Sequence, residues 1–336
     1  MTLRTGLILL AVAAGLALAW LAHDILLLAF LGLVIAVVLS FPVGWLARRM
    51  PRSVAVLLVL LVAAGVVVVA ALLVAPTMSD QFEDLRTSLP RSLANLRQWV
   101  SRRTGGQAAK GAAKVAEKAS EVAVPAVLGV ISALTAAILV IVLGAFLVAA
   151  PDVYRRGLRR MVPGRLEPVF DEAYDRVGRA LRKWVGGIVV SMAIMGTLAA
   201  VGLKIAGIND WLLLGALTFF GTFVPYVGAI ASAIPGLLVA LTQDSTHFLY
   251  AAAVYLGVHV VEGYLIQPLV MRKAVEIKPA LLLVGQGALT AMFGLAGTVV
   301  ATPLIVCGQT LVDYLWVERR LGKAAAGEDA GSRRTR

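Results

Sequence analysis

Apolar residues along this chain come in unbroken blocks of about twenty, the length that crosses a hydrocarbon core of roughly 30 Å. The blocks are 6–22, 25–47, 54–76, 125–150, 184–206, 211–242, 248–268 and 280–316. Each is apolar all round, as helices facing lipid or a protein interior must be. The pattern predicts an all-α polytopic membrane protein with about eight membrane segments. It divides the chain into N-terminal membrane helices (1–76), an extracytoplasmic segment (77–124), a further membrane helix (125–150), a basic cytoplasmic segment (151–183), a C-terminal membrane core (184–316) and a tail (317–336).

The polar stretches carry their own periodicity. Phe82, Leu85, Leu89, Leu93, Leu96 and Val100 recur every three or four residues, the spacing of an amphipathic helix. Pro90 bends it, Gly105 and Gly106 break it, and 107–121 continues as an Ala- and Lys-rich helix former. This segment reads as a solvated cap or an oligomer contact. The stretch 151–183 opens with Arg155, Arg156, Arg159 and Arg160 and then reads as a helix over 168–183. Its basic face suits anionic headgroups, where each Lys or Arg contributes about 1 kcal/mol. The Ala-, Gly- and Arg-rich residues 322–336 read as a disordered tail.

Two apolar blocks are too long for straight crossings. At 1.5 Å per residue, 211–242 runs about 48 Å and 280–316 about 56 Å. Both contain breakers: Pro225, Gly228, Pro235 and Gly236 in the first, and Gly285, Gly287, Gly294, Gly297 and Pro303 in the second. Freed backbone groups at membrane depth survive only where protein buries them or water reaches them. Paired interruptions of this kind point to a binding site; kinked helices meeting at small residues are the plainer alternative. The segments are read as broken or re-entrant. Eight single crossings and six crossings plus two hairpins both leave the termini on one side, but they place Arg272, Lys273 and Lys278 on opposite sides.

Charge then orients the chain. Lys and Arg cluster after the blocks ending at 47, 150 and 316, whereas the connections after 22 and 206 carry few. Basic loops face the cytoplasm, so both termini are expected there, in the inner membrane of a bacterium. The same counting favours the two-hairpin topology. The net charge of +12 sits beside apolar blocks rather than on a nucleic-acid face, so no nucleic-acid partner is expected. Only 15% of residues are charged and 60% are hydrophobic, against about a quarter charged in soluble domains. The start resembles a signal peptide, but its apolar run leads through His23 and Asp24 into another block, which fits a retained helix.

Ionisable residues at membrane depth default to a functional hypothesis. Glu262 follows His259 by three residues, so both share a helical face; Gln267 and Pro268 end that block. A Glu–His pair binds a cation or relays a proton, or simply pins two helices. Asp313 beside Trp316 suits an interfacial anchor. Three histidines and one cysteine, Cys307, build no usual zinc site or disulfide framework. No phosphate-binding loop occurs. An enzyme, a catalytic residue, a metal and a cofactor are not expected.

The ordered motifs of the C-terminal half resemble those of the autoinducer-2 exporter family. They are Ile208 to Trp211, Phe223 to Gly228, Ile234 to Gly236, Glu262 to Pro268, Lys278 with Pro279, and Gly294 to Gly297 running on to Pro303 and Leu304. Phe41, Pro42, Val43 and Gly44 before a basic cluster are similar too. The resemblance implies a multi-pass, homo-oligomeric exporter of a small signalling molecule; some relatives are assigned Na⁺(Li⁺)/H⁺ antiport. It carries over Pro225, Tyr226, Gly228, Glu262, Pro268, Gly294 and Gly297 as family-typical, while His259 stands where many relatives carry a different polar residue. With the residues' own chemistry, the candidate solute or ion path comprises Pro225, Tyr226, Gly228, Pro235, His259, Glu262, Gln267, Pro268, Gln286, Gly294, Gly297 and Pro303. The expected partners are a small polar solute or a monovalent cation or proton, anionic lipid, and further copies of the chain. A non-transporting membrane scaffold is the reading from another class.

Overall fold

The computed structural model describes residues 10, 14–15, 17–18, 20–65, 68, 139–225, 227–266 and 279–322. The expected amphipathic segment 77–124, Tyr226, Gln267, Pro268, the basic residues of 271–278, the tail from 323, and parts of the blocks 6–22, 54–76 and 125–150 lie outside them.

Among the described residues all regular structure is helical. In chain order the helices are α1 (His23–Leu46), α2 (Arg52–Gly65), α3 (Leu139–Ala149), α4 (Pro151–Arg160), α5 (Glu167–Ile205), α6 (Trp211–Gly221), α7 (Val227–Gln243), α8 (Ser245–Val261) and α9 (Pro279–Val312). Wider π-helical turns extend α8 over Glu262–Ile266 and α9 over Asp313–Glu318. Four stretches are long and apolar enough to cross a membrane: His23–Leu46, Gly164–Ile205, Ser245–Ile266 and Ala280–Glu318. Large apolar side chains point outward along these and the shorter helices, among them Leu57, Phe146, Val190 and Leu256. Such a surface suits lipid and would drive aggregation in water.

The helix expected over 168–183 and the membrane block from 184 are one element. Pro168 lies in the first turn of α5, where its missing N–H costs nothing. No proline follows within it, and the helix passes residue 184 and the pair Gly186 and Gly187 without interruption. A second helix, α4, occupies the arginine cluster that precedes it.

The chain forms two compact units. One comprises Met1–Leu60, Leu139–Arg182 and Ile277–Arg336; the other comprises Leu61–Ile138 and Lys183–Glu276. In the first, α1 and α3 meet through glycines. A Cβ on Gly32 would sit 2.8 Å from Leu143, and one on Gly144 would sit 3.0 Å from the Gly32 carbonyl oxygen. Backbones approach this closely only where side chains are absent. Arg52 donates to the Val148 carbonyl oxygen at 3.3 Å. In the second unit, Leu203, Ile208, Leu214, Ala240, Ala251 and Tyr255 form one buried cluster. Met195, Ala199, Val258 and Ile266 form another, between α5 and the end of α8.

Candidate functional site

Both overlong apolar blocks fold back on themselves. In the first, α6 ends at Gly221, and Phe223 to Pro225 turn the chain into α7. Pro225 is buried at that tip. The far ends of the arms are tied together: Gln243 Nε2 donates to the Gly207 carbonyl oxygen at 3.1 Å, and the Asn209 N–H donates to Gln243 Oε1 at 3.2 Å. Leu214 near the start of α6 shares a cluster with Ala240 near the end of α7, which makes the arms antiparallel. Gly221 and Gly228 cross at the tip so closely that a Cβ on Gly228 would collide with the Gly221 carbonyl. Pro235 lies inside α7 beside Gly236, whose open face receives the ring of Tyr255 from α8.

The second block turns at Gly294, whose φ of 58° and ψ of −139° suit glycine alone. Pairs across that turn fix its register. Thr290 and Thr298 share a hydrogen bond of 2.8 Å, and a Cβ on Gly285 would meet Ile305 at 2.7 Å. A straight helix would hold residues 285 and 305 about 30 Å apart, so the arms are antiparallel here too. Gly297 lies against the Leu289 carbonyl, where a Cβ would collide. Gln286 and Thr290 occupy one arm at a spacing of four, Thr298 and Thr302 the other, and the register set by Thr290 and Thr298 brings Gln286 level with Thr302. Gln286, Thr298 and Thr302 are all buried, as is Pro303. The hairpin therefore encloses a polar seam of hydroxyl and amide groups between apolar arms. Its tip reaches the N-terminal end of α1, where Phe293 meets His23 at 5.3 Å and Trp20 at 5.9 Å between ring centroids.

The carboxylate belongs with the first hairpin. Tyr255, His259 and Glu262 follow one face of α8 at spacings of four and three. Tyr255 packs against Gly236 of α7, and α7 and α8 run antiparallel around the cap at Asp244. Carried further, that register sets His259 level with the buried Ser232 and Glu262 level with the first turn of α7, next to Gly228. His259 Nδ1 stands 3.8 Å from Glu262 Oε2, too far for a hydrogen bond. The Glu262 side chain is 14% exposed and opens the π-helical turn, a widening that recurs at functional sites. A half-buried carboxylate at a widened helical turn is equipped to hold a cation, a proton or a polar solute. Among the described residues no group of three metal-ligating side chains assembles.

The structure thus gathers the sequence candidates into two places. Pro225, Gly228, Pro235, His259 and Glu262 lie in one unit, and Gln286, Gly294, Gly297 and Pro303 in the other. Sequence reasoning passed over Thr218, Thr222, Ser232, Thr290, Thr298 and Thr302, all but Thr290 buried. A signal was present: Gln286, Thr290, Thr298 and Thr302 are placed symmetrically about Gly294.

A family model described as AI-2E family transporter matches residues 9–316. The chain belongs to the AI-2E transporter family. A protein of Mycobacterium tuberculosis (strain CDC 1551 / Oshkosh), provisionally named a transport protein, is 26% identical over 328 residues, covering 91% of this chain and 88% of that protein. YueF of Bacillus subtilis (strain 168), another provisionally named transport protein, is 30% identical over 127 residues, 37% of this chain and 34% of its own length. PerM of Escherichia coli (strain K12), provisionally named a permease, is 22% identical over 180 residues, 53% of this chain and 50% of its own length. Apolar helices and an AI-2E family match over nearly the whole chain make this a multi-pass membrane protein of a transporter family.

Proposed function

We propose that this AI-2E family protein is a secondary transporter that exports a small polar solute, of the kind the family name denotes, across the bacterial inner membrane. What carries the reading is the half-buried Glu262, which the register of α7 and α8 sets level with the first turn of α7 after the break from α6. The 11 residues of α6 and the 17 of α7 reach only about 16 and 26 Å, short of a bilayer core. On this reading both hairpins are re-entrant, both termini are cytoplasmic, and Glu262 couples solute movement to an ion gradient. Pro225, Gly228 and Ser232 are the path candidates of the unit that holds Glu262, and Gln286, Thr290, Thr298 and Thr302 are those of the other unit.

The test is efflux from proteoliposomes under an imposed proton or sodium gradient. Glu262→Gln keeps the shape and removes the charge; coupled flux is expected to fall at least tenfold. Unchanged flux removes Glu262 from the mechanism. The nearness of two ionisable groups, His259 and Glu262 at 3.8 Å, also fits a second reading, cation/proton antiport. A pH-sensitive dye inside the vesicles separates the two: proton movement driven by Na⁺ or Li⁺ pulses without any organic solute supports antiport.

A further inference from the structure

The arginine-rich helix α4 directs two faces to different partners. Arg155 and Arg159 turn toward α5. Arg155 Nη2 lies 3.1 Å from both Asp171 Oδ1 and Asp175 Oδ2, and Arg159 Nη2 lies 2.7 Å from Glu167 Oε2. The Arg155 guanidinium also lies over the Tyr174 ring at 5.2 Å. These contacts fix the rotation of α4 on α5. At 100° per residue, Val153, Gly157, Met161 and Tyr154 then fall on the opposite face, and Leu158 lies on its flank. Val153 is 56% exposed, Leu158 49% and Met161 82%.

Arg156 and Arg160 border that apolar face, one on each of two successive turns, and both are exposed. The helix begins at Pro151, directly after the apolar α3 ends at Ala149, so it starts at the depth where a membrane helix ends. An apolar strip flanked by arginines, held at the mouth of a membrane helix, matches a helix lying in the headgroup plane. Arginine stems extend along the acyl boundary while their guanidinium groups meet phosphates.

We propose that α4 is an interfacial helix that docks on anionic phospholipid headgroups, with Val153, Tyr154, Leu158 and Met161 in the acyl boundary and Arg156 and Arg160 on the phosphates. The sequence pointed instead to the helix over 168–183 as the lipid-binding element. On that helix Asp171, Glu172 and Asp175 pair with Arg155 and Arg176, whereas Arg156 and Arg160 of α4 stay exposed. The proposal needs only that the protein is a multi-pass membrane protein and does not depend on what it transports.

The test uses the full chain with Cys307→Ala, reconstituted in nanodiscs of phosphatidylcholine with or without phosphatidylglycerol. Spin labels are placed singly at Asp152→Cys, Tyr154→Cys, Leu158→Cys and Met161→Cys. Labels at 154, 158 and 161 are expected to collide with oxygen and to be shielded from a water-soluble nickel chelate, while the label at 152 shows the reverse. Adding phosphatidylglycerol should at least halve nickel access at 158, and the double variant Arg156→Gln/Arg160→Gln should abolish that lipid dependence. Equal nickel access at all four sites overturns the proposal. So does protection from both reagents at 154 and 158, particularly with spin–spin broadening between labels, because that places a second copy on the face. A phosphatidylglycerol effect that survives the double variant overturns the role given to the arginines.

Discussion

At the scale of single residues, the glycines of the first hairpin separate two kinds of small-residue position. Gly228 meets a backbone carbonyl that has no rotamer to change, so Gly228→Ala is expected to cost about 3 kcal/mol or more as an overpacking defect. Gly257 in α8 has open space around it, and Gly257→Ala should be neutral or stabilising by up to about 1 kcal/mol through helix propensity. Melting of the two variants in detergent checks the contrast; equal melting would mean that the tip relaxes around a methyl group. Asp244 gives a second prediction. Its side chain accepts from the N–H groups of Thr246 and His247 at the start of α8. Those bonds, led by the His247 N–H, hold its carboxyl below the ordinary range. A depressed folded value stabilises the protein above the unfolded pKa, and the stabilisation disappears as pH falls through the folded one. Wild type should therefore melt above Asp244→Ala at neutral pH, and the gap should close as pH falls below about 4.

At the scale of elements, a charged clasp holds the end of α9 to the base of α5. Arg176 Nη1 donates to Glu318 at 2.7 Å, its Nε donates to Glu172 at 2.7 Å, and its guanidinium covers the Tyr314 ring at 4.4 Å. Lysine offers a single charged point in place of that fork and plane. Arg176→Lys is expected to cost about 1 kcal/mol, read as a lower melting temperature. Arg179→Lys should change little, because Arg179 is more exposed and holds Glu172 at only 3.4 Å. This clasp also marks where sequence reading stopped. Membrane blocks and their breakers were legible because hydrophobic length and Pro/Gly punctuation are local signals. Pro225 and Gly294 do sit at turns, and Glu262 with His259 does lie on one face of α8. The partners across each turn were not legible, because antiparallel register depends on which carbonyl a glycine must clear. The pairing of Asp171 and Asp175 with Arg155 was hidden for a similar reason: a composition count scores the basic residues of 151–183 without showing which of them are already neutralised.

At the scale of the whole molecule, the hairpins bear on topology. A chain in which 211–242 and 280–316 each cross once places the connection that holds Arg272, Lys273 and Lys278 outside the cell. A chain in which both re-enter keeps it in the cytoplasm. The antiparallel pairs around Pro225 and Gly294 bring each segment's ends back together, and the positive-inside rule pulls the same way. Lysines and arginines on an outer loop would each have had to leave the attraction of the anionic inner leaflet. Ala274→Cys in a Cys307→Ala background is therefore expected to resist a membrane-impermeant maleimide added to intact cells and to react after the membrane is opened. The control is a cysteine at Asn209, in the connection expected to face outward, which should react in intact cells. Labelling at position 274 from outside would mean that at least one hairpin opens into a full crossing in the bilayer, and the placement of Glu262 beside a re-entrant hairpin would have to be abandoned with it.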